Sequence, residues 1–457
     1  MADMESRKLQ FAQALTPEGW RDNVSVALDA MGMITAVAAD TAGTATVKGI
    51  AVPAMANLHS HAHQRLMLGL AERAGPGADS FWTWREVMYG FALKLGPDDL
   101  QAVAAQLYVE MLKAGFSCVG EFQYLHHQPD GQPYDNRAEM SLCCSAASEL
   151  AGMGLTLLPT LYNFGGFGGQ AANAGQRRFL NDADGFLEIH GELASHVAVR
   201  PLQRMGISPH SLRAVTPELL KTVLAGIDAL APVHIHVAEQ VKEVEDCLAW
   251  NGRRPVETLL EAFEVSSRWC AIHATHMTAA ETQAFAGSGA IAGLCPTTEA
   301  NLGDGIFPAV GYLKAGGVFG IGSDSHISVS PAEDLRMLEY SQRLRDRTRN
   351  ALADGPGQST GRSLYVRALK GGAQALAQPV GAIAPGFRAD ITVLDPDCDA
   401  LIGRSGDAAL DTWIFSGGNS CIKDVFVAGR PVISDRHHAD EHRIAGRFRS
   451  AVERLSA

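Results

Sequence analysis

The stretch Ile50-Ala51-Val52-Pro53-Ala54-Met55-Ala56-Asn57-Leu58-His59-Ser60-His61 is a short apolar run that ends in two histidines spaced two apart. Alternate residues of a strand project to the same side, so His59 and His61 can face one point in space. The pattern of a short apolar run recurs near residues 116–124, 155–162, 203–208, 233–239, 269–275, 290–296 and 318–324. Helix-like segments lie between the runs, near 97–114, 217–229, 255–263, 279–286 and 332–345. The first of these opens with Asp98 and Asp99 and ends just before Gly115. Apolar strands that alternate with amphipathic helices form parallel βαβ units. Eight such units predict an α/β chain closed into a (β/α)8 TIM barrel. A doubly wound open sheet is the competing architecture.

The chain ends read differently. Residues 24–48 and 389–433 are β-rich with turn signals, and 385–390 (PGFRAD) is a turn leading into a strand. These ends are expected to pair into one small β-sandwich domain, built from residues 1–52 and from 379–457 with its tail, beside a barrel of residues 53–378. The 457 residues carry a net charge of -12, with 46% hydrophobic and 19% charged residues. That balance suits a soluble enzyme and gives no general attraction to nucleic acid or anionic membrane. The eight cysteines include no CxxC pair, which favours reduced, mostly buried thiols. The first ten residues lack an apolar signal core and no run approaches a membrane span, so a cytoplasmic protein is expected.

Four signals at strand ends carry the chemistry. His59 and His61 close the first run. Val233-His234-Ile235-His236-Val237-Ala238-Glu239 closes the fifth, and adds a third imidazole, His236, with a carboxylate three residues on. His234 lies deeper in that run and reads as a buried structural histidine. The sixth run carries His273, within Cys270-Ala271-Ile272-His273-Ala274-Thr275-His276, and the eighth ends in Ser323-Asp324. Barrel active sites lie at the carboxyl ends of the strands, and imidazole and carboxylate are ordinary zinc ligands. Each signal alone has a plainer reading: a surface histidine, a helix-start carboxylate at Glu239, a turn or cap at Asp324. Four of them on four strands of one barrel are hard to explain that way.

An HxH on strand one, histidines on strands five and six and an aspartate on strand eight resemble the amidohydrolase superfamily. The HxxE after strand five is similar to its mononuclear deaminase branch, and no lysine occurs in 203–213 to bridge two metals. The segments Asn57–Ala62 with Gln64-Arg65, 80–86 (SFWTWRE) and 298–305 (TEANLGDG) further resemble the formimidoylglutamate deiminase family over nearly the whole chain. The resemblance implies one divalent metal ion, most simply Zn2+, held by His59, His61, His236 and Asp324. It implies Glu239 as proton carrier, and His273 and Asp324 at the reacting centre. Arg213, His210, Tyr124 and Gln64 would bind a small dicarboxylate substrate. Arg213 could instead cap a helix or pair on the surface, and Tyr124 could be packing. Arg85 is a further basic residue with no assigned role. Trp82 and Trp84 read as packing, and His437, His438 and His442 as a solvated tail. His63 stands where an aromatic is expected. The implied reaction is hydrolysis of N-formimino-L-glutamate to N-formyl-L-glutamate and ammonia, in histidine degradation, by a homodimer. The alternatives are another aminohydrolase of the branch acting on a purine, pyrimidine or triazine, and a metal-free relative kept for assembly.

Overall fold

The computed structural model describes residues 7–40, 45–74 and 81–456. Residues 1–6 of the amino-terminal reading, 41–44 within the 24–48 run, and Ser80 of the tryptophan-rich segment lie outside the described residues. Eight strands in chain order make the barrel: Met55–Ser60, Phe116–Gln123, Gly154–Leu161, then Gln203–Met205 with Ser208–Pro209, then Val233–Val237, Trp269–His273, Ile291–Leu294 and Val318–Ile321. The ladders between these successive strands are parallel. Parallel bridges Ile207↔Val233 and Ser211↔His236 join strand four to strand five, and Ser60↔Asp324 joins strand eight to strand one. The sheet is therefore closed, and its strands are buried on both faces, as expected where helices cover a parallel sheet.

Two of the expected runs differ in detail. The run from residue 50 is two strands, because Val47–Pro53 belongs to the terminal sheet and only Met55–Ser60 enters the barrel. Ala54 still donates to Asp390 O at 2.9 Å, beside the terminal-sheet strand, and the ladder changes partner at Met55, whose N–H turns to Gly115 O at 3.2 Å. Strand four is broken at Gly206. Its N–H turns to Leu157 O at 3.0 Å while Ile207 turns to Pro232 O at 2.9 Å. A Cβ at Gly206 would lie 2.8 Å from Pro232 O.

The helix Thr360–Leu376 closes the amino-terminal end of the barrel. Gly371 allows its contact with strand eight, since a Cβ there would lie 1.9 Å from Phe319 O. Thr156 and His234, from strands three and five, satisfy its terminal carbonyls at Leu376 (2.7 Å) and Ala375 (2.8 Å). His234 is thus a floor residue, fully buried. The terminal strands form a separate eight-stranded sheet in which Val47–Pro53 from the amino-terminal part pairs antiparallel with Ile391–Leu394 from the carboxyl-terminal part. Beyond it the chain ends in a helix, Glu441–Ser456, that packs on Pro97–Lys113 through Arg454–Asp99 and Lys113–Glu441 pairs. The solvated reading of the tail histidines fails at His438, which is buried with Nε2 at 3.1 Å from Ala151 O, because a short strand precedes this helix. His437 and His442 are exposed. All eight cysteines are free. Among the described residues no helix is long and apolar enough to cross a membrane.

The sheet and the barrel floor share one buried ion pair. Arg388 grips Asp390 through two bonds of 2.8 and 2.7 Å and donates to Gln378 Oε1 at 2.9 Å. Replacing Arg388 by Met leaves a buried carboxylate uncompensated, and removal of one partner from such a pair typically costs about 3–5 kcal/mol. Arg388→Met is therefore expected to unfold at clearly lower denaturant concentration while its metal content per folded chain is unchanged. An unaltered midpoint would contradict this role.

Candidate active site

The carboxyl ends of strands one, five, six and eight meet at one mouth of the barrel. His59 and His61 point there from strand one, and His236 from strand five. The ligand atoms of these three imidazoles lie within 4.8 Å of one another. His59 Nε2 and His236 Nε2 are 3.1 Å apart. Asp324 Oδ1 sits 3.4 Å from His59 Nε2 and 3.5 Å from His61 Nε2. All four residues are buried.

Backbone geometry aims these groups. Ala238, His273, Ala274, Asp324 and His326 all have positive φ between 47° and 67°. Non-glycine residues held in that region carry strain of about 1–3 kcal/mol each and cluster where function over-determines the backbone. Here they cluster just past strands five, six and eight.

The protonation pattern suits a cation. His61 Nδ1 donates to Phe122 O at 2.9 Å and His236 Nδ1 to His210 O at 3.0 Å. Both leave an Nε2 lone pair turned inward, the arrangement usual for metal-binding histidine. Burial, with neighbouring imidazoles adding to it, holds His59 and His236 well below the usual histidine range, hence neutral. Burial likewise lowers His61 against the opposing pull of Asp324. Three neutral imidazoles and one carboxylate fit a divalent ion such as zinc in donor type and number.

Around this cage lie two titratable groups, Glu239 and His273. Glu239 Oε1 is 3.7 Å from His273 Nε2, and its Oε2 is 3.8 Å from Arg213 Nη2. Burial pushes the Glu239 carboxyl up to about 7, partly opposed by His273 and Arg213. Burial would lower His273, but Glu239, Glu299 and Asp324 together hold it up at about 10. Its Nδ1 lies 3.2 Å from Glu299 Oε1 and its Nε2 3.7 Å from Asp324 Oδ2. Carboxyl and imidazole are therefore both raised within one site, the first toward its neutral form and the second toward its charged form, and strongly perturbed groups of this kind mark candidate acid–base chemistry.

The mouth opens into a cavity lined by residues that include Gln64, Tyr124, His210, Arg213, Glu239, His273 and Asp324. All four residues expected to bind substrate thus face it. Gln64 donates to the Tyr124 hydroxyl at 3.0 Å, and its Oε1 has no partner. His63 begins a short 3-10 helix, is buried, and packs edge-on against Tyr124 with its Nε2 at 2.8 Å from the hydroxyl. Its ring centroid lies 6.3 Å from that of His61, and its Nε2 is taken up by Tyr124, as an aromatic with a polar edge would be. Arg213 is nearly buried and its Nε has no partner.

Sequence reading missed part of this lining. The helix Phe81–Ala92 lies over the cavity and brings Trp84, Arg85, Met88 and Tyr89 into its wall. Trp84 is thus a wall residue as well as packing, and Arg85 is a second guanidinium in the cavity, stacked at 4.6 Å on Trp82. Glu243 was also missed. It accepts the N–H groups of Ala238 and Glu239 at 3.1 Å each and so fixes the turn that carries Glu239. Its position one turn into the following helix was the available signal. Glu299 lies in the 298–305 motif, and its bond to His273 needed the fold to be seen.

Comparison with known proteins follows the same line. The model of the amidohydrolase family matches residues 50–432. The chain is 53% identical over 441 residues to the formimidoylglutamate deiminase of Pseudomonas aeruginosa, covering 96% of this chain and 97% of that protein. The crystal structure of an amidohydrolase from Brucella melitensis superposes with a TM-score of 0.94 at 49% identity, over 99% of this chain and 100% of that one. A zinc-bound adenosine deaminase from Xanthomonas campestris shares the fold, with a TM-score of 0.81 at 22% identity over 98% of each chain.

Proposed function

The chain belongs to the amidohydrolase family, and from that premise we propose that it hydrolyses the C–N bond of N-formimino-L-glutamate, giving N-formyl-L-glutamate and ammonia. The observation that carries this reading is the pairing of two guanidinium groups, Arg85 and Arg213, with the histidine–aspartate cluster in one cavity. A linear amidine with two carboxylates needs both ends of that site. Arginine matches a carboxylate bidentately, whereas a neutral purine or triazine ring has no use for two cations.

His59, His61, His236 and Asp324 would hold the divalent ion, zinc by the donor set. Such an ion supplies Lewis acidity that makes water a usable nucleophile near neutral pH. Glu239 accepts the proton of the attacking water and returns it to the departing nitrogen. His273, held by Glu299 and facing Asp324 and Glu239, donates a hydrogen bond to the group that becomes tetrahedral, with Asp324 on its other side as a second proton acceptor. Arg213 with His210, and Tyr124 with Gln64, hold the carboxylates, and Trp84 and Tyr89 wall the substrate from solvent. The reading includes a homodimer that acts in the cytoplasm in histidine degradation, as the family resemblance implies.

The test is ammonia release from N-formimino-L-glutamate by metal-assayed protein, beside adenosine and 5-methylthioadenosine as competing substrates. Release from the first and none from the nucleosides is expected, and the reverse preference would overturn the reading. The pH profile adds a check. Glu239 is raised to about 7 and must be ionised to take a proton, so kcat/KM is expected to climb as pH rises through about 7. His273 is raised to about 10 and must keep its proton, so activity is expected to fall as pH rises through about 10. A rate independent of pH between 5 and 8 would contradict the assignment of Glu239.

A further inference from the structure

Asp324 presents one oxygen to the histidine cage and the other to a different set of donors. Oδ1 faces His59 and His61, while Oδ2 faces His273 Nε2 at 3.7 Å. On that second side His273, Cys295 and Asp324 each place one ligand atom within 4.8 Å of the others, and all three are buried. Cys295 follows directly on strand seven and caps the helix Pro296–Leu302. Glu299, one turn into that helix, accepts the Cys295 N–H at 2.9 Å and faces His273 Nδ1 at 3.2 Å. One carboxylate therefore anchors two of the three donors from behind, and it turns His273 Nε2 inward as second partners of metal-binding histidines do. Glu239 Oε1 lies 3.7 Å from the same Nε2 and borders this set of three.

A tetrahedral ion with bonds of about 2.0–2.3 Å holds its ligands roughly 3.3–3.8 Å apart. His273 Nε2 and Asp324 Oδ2, 3.7 Å apart, already match that spacing, and the Cys295 sulfur, within 4.8 Å of both ligand atoms, closes by about 1 Å or more if it starts at that limit. Nitrogen, sulfur and carboxylate oxygen together suit a thiophilic divalent cation.

We propose that His273, Cys295 and Asp324 form a second, inhibitory site for a soft divalent cation, sharing the Asp324 carboxylate with the histidine cage. The inference rests on the assignment of that cage to the first ion. Binding involves no electron transfer. The Cys295 S–H bond gives its proton to solvent and the thiolate sulfur coordinates the ion, as do Asp324 Oδ2 and the Nε2 lone pair of His273, whose proton, where present, also leaves to solvent. Occupancy withdraws His273 from the reacting group and puts positive charge beside Glu239, so catalysis stops although the first ion stays in place.

The experiment starts from protein carrying one zinc per chain and adds cadmium ion alone. Bound cadmium, retained zinc, the ultraviolet thiolate-to-cadmium absorption band and ammonia release are read on the same samples. One added cadmium per chain is expected, with zinc retained, the thiolate band growing in step and activity falling in step with it. Cys295 lies outside the catalytic assignments. Cys295→Ala is expected to keep its activity, lose the band, and need at least about tenfold more cadmium for the same inhibition, since loss of even an orienting partner costs 10–100-fold in metal affinity. Cys295→Ser keeps the side-chain shape, and is expected to lose the band as well. The proposal is overturned if cadmium displaces the zinc, if none binds, or if the alanine and serine variants retain the band. Protein that takes up no first zinc fails before any cadmium is added, which identifies the histidine cage as the faulty assignment.

Discussion

Glu239→Gln is expected to lower kcat by roughly 10²–10⁴-fold, the range a positioned acid–base contributes, with metal content per chain unchanged. The two expectations separate because Glu239 stands beside the histidine cage. Its nearest charged partners are His273 at 3.7 Å and Arg213 at 3.8 Å. The amide keeps the shape and the turn, whose backbone N–H groups are held by Glu243, yet it can take no proton from water. Paired measurement of turnover and bound metal decides the matter. Loss of metal in proportion to loss of activity would make Glu239 a ligand instead of a proton carrier.

The second large effect is at Arg213. Truncating one partner of a desolvated charge pair costs about 2–5 kcal/mol, so Arg213→Met is expected to lower kcat/KM by roughly 30- to 4,000-fold at 1.4 kcal/mol per decade. The loss should fall mainly on KM, because the carboxylate is bound equally in the ground and transition states. Arg213 is poised for that role: Glu243 and Glu239 hold its guanidinium charged against the cost of burial, and its Nε has no partner. A variant with normal KM and low kcat would move Arg213 from substrate capture to the chemistry.

Much of this site was legible because barrel geometry turns sequence position into spatial position. The carboxyl ends of parallel strands lie at one mouth, so His59, His61, His236, His273 and Asp324 could be placed there from their positions at the ends of the runs. What escaped depends on segments that no periodicity anchors. The helix Phe81–Ala92 lies over the mouth, and that placement brings Arg85 and Trp84 into the cavity wall. Glu299 and Glu243 act from the first turns of helices, where a carboxylate is ordinarily explained by the helix dipole. Their bonds to His273 and to the Glu239 turn depend on neighbours distant in sequence or on a local turn at positive φ. The terminal segments show the same limit. An apolar run cannot announce that Val47–Pro53 serves one sheet and Met55–Ser60 another, since both halves are equally buried. His438 in turn looks solvated until the short strand beside it is known.

The convergence of residues 59, 61, 236 and 324 on one cation is tested most directly by anomalous X-ray scattering from crystals of the metal-loaded protein, recorded on both sides of the zinc absorption edge. The account predicts one strong edge-dependent peak about 2.0–2.2 Å from the Nε2 atoms of His59, His61 and His236 and from an oxygen of Asp324. A peak bound by other residues, or zinc-containing crystals with no peak among these four side chains, would contradict it.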